Sequence, residues 1–222
     1  MSGPIDETFT EQQLVPGTVF ELGCSPGFFT ARMAKRPELK ITAIDLYPAE
    51  CSEGFEFIQG DIMDYKPPHQ FDNVCCVSSW EHCGIERANF WEESSPSTDY
   101  HLLVAEKLKS LVVPNGRLII TCPFGPDEVW LTDGKGTNFK MGDSKYSHLA
   151  ARWGFRTFSL ETLKSIFQPF SLVRASACAL VAEEYFELSN WVRIDVEKDH
   201  AHFTNENVNR AVIGVVFQNN DL

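Results

Sequence analysis

VFELGCSPGFFTARMAK, residues 19–35, reads as an apolar strand, a tight turn carrying Gly23 and Gly27, and a helix with an apolar first turn. The first amides of such a helix have no partner within it, so a turn of this kind lets a ligand approach the main chain. Three chemistries could use it. A dinucleotide site follows G-x-G-x-x-G, but here Ser25 takes the middle position and the next glycine comes one residue early. GCSPG also matches the G-x-S-x-G elbow that would make Ser25 the nucleophile of a hydrolase. The residue after that nucleophile must donate its amide to an oxyanion, and Pro26 has no N–H to give.

The third chemistry draws support from residues further along. ITAIDLYP sets Asp45 at the end of a second strand, where a carboxylate can accept from both hydroxyls of a ribose. FIQGDIMDY sets Asp61 just past a third, where it can accept from an exocyclic adenine amine while Ile62 covers the ring. FDNVCCVSSWEHCG, residues 71–84, supplies a fourth strand and its carboxyl-end mouth, the place where open α/β sheets bind ligands.

The rest of the chain keeps the same rhythm. Apolar runs at Thr18–Leu22, Ile41–Leu46, Phe55–Gln59, Val74–Ser78 and Arg117–Thr121 alternate with helical patterns at Gly27–Arg36, a brief acidic helix after Asp45, and Tyr100–Val112. Such alternation builds a parallel sheet with crossover helices. In the last helix Leu102, Leu103, Ala105, Leu108 and Leu111 form the expected packing stripe, and Pro114–Gly116 turns the chain into the next strand. Leu172–Ala182 and Ala211–Phe217 are β runs without a crossover helix between them, which predicts an antiparallel final pair.

Bulk properties narrow the partners. The 222 residues suit one domain (1–222); 43% are apolar, 23% are charged, and no apolar run reaches membrane-spanning length. A net charge of −12 repels polyanions, so nucleic acid is not an expected partner, and without an apolar spanning run neither is a membrane. The basic group Arg32, Lys35 and Arg36 sits where cations favour a helix end. The polar, acidic N-terminus predicts a cytoplasmic protein. Seven cysteines at irregular spacing read as reduced and mostly buried thiols. No metal site is expected: Asp199, His200 and His202 read as an exposed hinge.

Together, ELGCSPGFFT, Asp45, Gly60–Ile62, Trp80–His82 and VVPNGRLIITCP resemble the motifs of class I S-adenosylmethionine-dependent methyltransferases over Val19–Pro123. Ser25 departs from the glycine usual at its position. The resemblance implies a Rossmann-like, seven-stranded, mostly parallel sheet with helices on both faces and an antiparallel last strand. It implies S-adenosylmethionine as cofactor, with Glu21, Gly23, Cys24, Ser25 and Gly27 at its methionine end. Asp45 and Leu46 would hold the ribose, Asp61 and Ile62 the adenine, and Cys76, Val77 and Ser78 would line the methyl side.

Pro123–Gly125 with GFRTFSLETL (Gly154–Leu163) resembles glycan and secondary-metabolite methyltransferases, which implies a sugar, a peptide-like molecule or a similar small polar acceptor, methylated at oxygen or nitrogen. Little chain precedes the first strand, so acceptor contacts are expected from segments between later strands, 85–100 and the insertions 124–158 and 183–209, all carrying aromatics such as Trp91, Tyr100, Trp130 and Trp191. His82 and Glu81 are the candidate bases, with His148 behind them. Two alternatives keep parts of the pattern: a non-catalytic cofactor-binding or partner-activating protein, and a nicotinamide-dependent oxidoreductase.

Overall fold

The structure is a computed structural model that describes residues 4–85, 99–132, 138–141, 153–180, 191–196 and 211–220. Its frame is an eight-stranded sheet of order β10-β9-β11-β5-β4-β1-β2-β3. The strands are β1 (Gly17–Leu22), β2 (Leu39–Asp45), β3 (Glu56–Gln59), β4 (Phe71–Val77), β5 (Val112–Pro123), β9 (Ser171–Leu180), β10 (Trp191–Ile194) and β11 (Ala211–Gln218). β11 runs antiparallel to both β5 and β9, so those two are parallel to each other and the expected antiparallel final pair is present. β10, antiparallel to β9, is one edge strand more than the seven expected.

β4 shows why both faces are covered. Cys75 and Cys76, fully buried neighbours, point to opposite sides as strand geometry requires. Cys76 joins Phe20, Val74, Leu118, Ile120 and Phe217 beneath α3 (Tyr100–Ser110) and α4 (Leu160–Ile166). Cys75 joins Val19, Val77, Ile119 and Val216 with Phe29 and Met33 of α2 (Phe28–Met33). All seven cysteines are free, and Cys24, Cys75, Cys76 and Cys122 are buried, in keeping with reduced thiols.

Three features differ from the sequence reading. Val104, Ala105 and Leu108 form the buried stripe of α3, with Leu111 buried just past its end, while Leu102 and Leu103 are 38% and 54% exposed. No helix follows Asp45; residues 46–55 fold back on the glycine turn instead. Pro114–Gly116 lies within β5, where Asn115 adopts φ 63° and the Asn219 side chain donates to the carbonyls of Val112 and Val113.

Two additions flank the sheet. α1 (Pro4–Gln13) lies ahead of β1 and rests on the α2 side of the sheet, where the Phe9 ring stands over Gly214; a Cβ at that glycine would collide with it. The expectation that little N-terminal chain could cover the sheet is therefore corrected. Part of the 124–158 insertion forms a small antiparallel sheet of β6 (Glu128–Thr132), β7 (Asn138–Lys140) and β8 (Trp153–Thr157), in the order β7-β6-β8. Among the described residues no helix is long and apolar enough to cross a membrane, and no acidic, His or Cys group could hold a metal. Asp199, His200 and His202 lie outside the described residues.

Asn73 fastens the chain after α1 to the centre of the sheet. Fully buried, it accepts from the Val15 amide at 3.0 Å and donates to the Val15 carbonyl at 2.9 Å. Asn73→Ala orphans both groups, so urea unfolding should show a loss of about 1–3 kcal/mol with an unchanged slope.

Candidate cofactor and active site

The carboxyl ends of the parallel strands gather the residues singled out by the sequence. Glu21, two residues before the Gly23 turn, is 2% exposed and accepts from Thr30 Oγ1 of α2 at 2.7 Å. Burial, opposed in part by that hydrogen bond, raises its carboxyl from the usual 4.5 to about 7. Cys24 is pushed up to about 12 by burial and then by Glu21, so it remains a neutral thiol.

Asp45 ends β2. Its Oδ2 accepts from the Ser25 amide at 2.8 Å and its Oδ1 from the Tyr47 amide at 2.9 Å. A carboxylate offers about four acceptor positions, so each oxygen keeps one. The turn itself has φ 82° at Gly23 and φ 96° at Gly27, a region that favours glycine. Residues after β2 pack over it: Pro26 O accepts from the amides of Glu50 and Cys51, and Ser25 Oγ donates to Pro48 O. Leu46 and Tyr47 stay 37% and 49% exposed at the rim.

Asp61, past β3, accepts from Tyr100 Oη through both oxygens at 2.8 Å and from the Met63 amide at 2.9 Å. Burial and the Asp61 hydrogen bond raise the Tyr100 phenol well above its usual range. Ile62 is buried. Thr30 was missed as a site residue, and Tyr100, expected among the acceptor-side aromatics, meets Asp61 instead; each matters through a carboxylate distant in sequence, which no local pattern announces.

At the mouth of β4, Ser78 takes φ 46°, and its amide donates to Thr121 O and Thr121 Oγ1, both at 3.1 Å. Ser79 Oγ donates to Gly23 O at 3.0 Å, closing the β1 turn against the β4 exit. Val77 faces the α2 side with Cys75, while the Cys76 side chain is turned into the α3–α4 core. Trp80 is fully buried: its Nε1 donates to His101 O at 2.8 Å and its ring stacks on Phe158 at 4.5 Å. Glu81 is buried beside it, and His82 Nε2 lies 3.8 Å from Glu81 Oε1. His82 Nδ1 meets Gly154 O of β8 at 2.6 Å, the contact of a ring protonated at Nδ1. Burial lowers the His82 pKa from 6.5 to about 4, Arg156 acting in the same direction. Arg156 in turn donates to Cys83 O, which fastens β8 to this turn. Trp130 and Phe155 pack together in the small sheet, and His148 lies outside the described residues.

The model of the FtsJ-like methyltransferase family matches residues 4–93. The structure is similar to the 1,6-didemethyltoxoflavin-N1-methyltransferase of Burkholderia thailandensis, solved with 1,6-didemethyltoxoflavin and S-adenosylhomocysteine. The identity is 14%, with 98% of this chain and 78% of that one covered and a TM-score of 0.62. It is also similar to the N-methyltransferase NodS of Bradyrhizobium japonicum with S-adenosylhomocysteine (13% identity, 98% and 85% covered, TM-score 0.52). A third likeness is to coclaurine N-methyltransferase bound to N-methylheliamine and S-adenosylhomocysteine (12% identity, 96% and 69% covered, TM-score 0.57). No curated protein matches significantly. The fold is shared with these methyltransferases, which hold S-adenosylhomocysteine, the product of the cofactor S-adenosylmethionine, and the family model matches the segment that carries Glu21, Asp45 and Asp61, less than half of the chain. The donor set fits that cofactor, whose sulfonium and ammonium cations suit an edge carrying Glu21, Asp45 and Asp61.

Because Glu21 holds its proton to about pH 7, the stability it contributes is full below pH 4.5 and is lost as pH rises through 7. Glu21→Gln should flatten that window, leaving the ligand-free variant relatively more stable at pH 8 by on the order of 3 kcal/mol. Thermal melts of both proteins from pH 4.5 to pH 8 measure the difference.

Proposed function

We propose that this protein transfers the methyl group of S-adenosylmethionine to a nitrogen or oxygen of a small polar acceptor. The observation that carries this reading is the row of acidic side chains at the ends of the first three parallel strands, with the Ser78 mouth beside it. When bound, the cofactor supplies an electrophilic methyl on a cationic sulfur. This chain's own residues would orient the acceptor lone pair toward that methyl and take up the acceptor proton, directly or through water. The proteins with similar structures named above act on nitrogen according to their names, which favours nitrogen here.

Within this reading the two open acceptor positions of Asp45 match the two hydroxyls of a ribose. Asp61, held by Tyr100 and the Met63 amide, keeps a position for an adenine amine beside Ile62. Leu46 supplies apolar surface at the rim, and the Gly23–Gly27 turn with Cys24 and Ser25 takes the methionine end. Glu21 suits the cofactor ammonium, and Val77 and Ser78, with the backbone of Cys76, border the methyl.

His82, neutral at physiological pH with Nδ1 engaged, has its lone pair at Nε2 and with Glu81 is the candidate proton acceptor. The described part of 124–158, with Trp130, is assigned to the acceptor side beside His82, while His148 and most of 183–209 lie outside the described residues.

Calorimetry with S-adenosylhomocysteine tests the cofactor assignment. Asp45→Ala should weaken binding about ten- to a hundredfold; unchanged affinity in a folded variant rejects the role. Stability is followed separately, because the amides of Ser25 and Tyr47 lose their acceptor. For the base, His82→Ala should lower kcat roughly 10²- to 10⁴-fold with cofactor affinity nearly unchanged. The wild-type rate should show no His82 limb between pH 5 and 8, because that group titrates near 4. A limb at the ordinary histidine pKa that vanished in His82→Ala would contradict this placement.

A further inference from the structure

α1 does not lie flat on the sheet. Between it and strands β5, β11, β9 and β10 is a cavity of about 190 Å³. One rung of the sheet, Thr121 of β5, Gly214 of β11 and Ser176 of β9, crosses its floor. Thr121 is also the residue that receives the Ser78 amide, so the cavity begins one strand spacing, roughly 5 Å, from the mouth of β4.

The lining charges are set around that rung. Arg174 lies two residues to one side of Ser176 on β9, and Arg193 pairs with Cys178, two residues to the other side. Neither arginine forms an ion pair among the described residues. Asp6 of α1, 1% exposed, brings one acidic group to the roof.

We propose that this cavity is the acceptor site and takes a small amine that also bears an anionic group, a carboxylate or a phosphate, bound by Arg174 and Arg193. The inference rests on the methyltransferase reading and adds to it the substrate class. A chain with net charge −12 repels anions at long range, so an anionic acceptor needs a local cationic clamp, and planar guanidinium groups bind carboxylate and phosphate oxygens in pairs. Asp6 complements the amine of the same molecule. At ~30 Å³ per water the cavity has the volume of roughly six waters, which limits the bound portion to a small molecule or one end of a larger one.

The test uses the full chain with S-adenosylhomocysteine bound for affinity and S-adenosylmethionine for turnover. Matched probes separate the sources of charge: glycine and 2-aminobenzoate against their amides, and phosphoethanolamine against ethanolamine. Expected are binding and methylation of at least one anionic member, with its neutral partner at least tenfold weaker. Arg174→Gln and Arg193→Gln should each raise that KM tenfold or more, and Arg193→Lys should restore part of the loss. S-adenosylhomocysteine affinity and melting temperature should hold steady in all three. The pair that responds identifies carboxylate or phosphate. Equal use of neutral partners, no binding by any anionic probe, or arginine variants that leave KM unchanged would overturn the assignment. Loss of S-adenosylhomocysteine binding in the wild-type protein would instead strike the underlying methyltransferase reading.

Discussion

Ser78 leaves β4 with its amide held by both the carbonyl and the hydroxyl of Thr121, and the chain bends there into a left-handed conformation. Everything that meets at the carboxyl edge follows from that bend. Ser79 is delivered to Gly23, Trp80 is dropped between α3, α4 and Phe158, and His82 is carried to β8. A chain that continued straight would have left the β1 turn without its closing hydrogen bond and the small sheet without its attachment to the β4 exit.

The same edge sorts charge by depth. Asp45 and Asp61 are satisfied by backbone amides and a tyrosine, so they keep fixed directions while retaining room for donors. Glu21 lies deeper and is held by one threonine, and there burial outweighs hydrogen bonding. Three carboxylates on adjacent strands thus present different surroundings, because the desolvation cost of a charge rises steeply with burial while each hydrogen bond returns only a part of it.

What the sequence disclosed and what it withheld divide along physical lines. The parallel strands were legible because both their faces are covered and their apolar runs are continuous. The positions of Asp45 and Asp61 were legible because each follows directly on an apolar strand run. α1 was not: PIDETFTEQQ has few apolar residues, and it buries Asp6, Thr10 and Gln13, types that patterning assigns to solvent. β6, β7, β8 and β10 are three to five residues long, too short for periodicity to establish. In α3 the apolar residues are dense enough to support two stripes, and packing against the sheet selected the one containing Val104 instead of Leu103. Arg174 and Arg193 meet one cavity only because β10 folds back along β9, a pairing that no local spacing announces.

The back-to-back cysteines of β4 have a consequence for handling the protein. With Cys75, Cys76 and Cys122 fully buried and their thiols raised well above the ordinary range, alkylating reagents and oxidants meet almost no thiolate while the sheet is closed. Once the sheet opens, the same sulfurs become ordinary reactive thiols. Trapping of these three positions therefore runs as a clock for global opening, and without a reductant each such excursion invites intermolecular cross-links that prevent return.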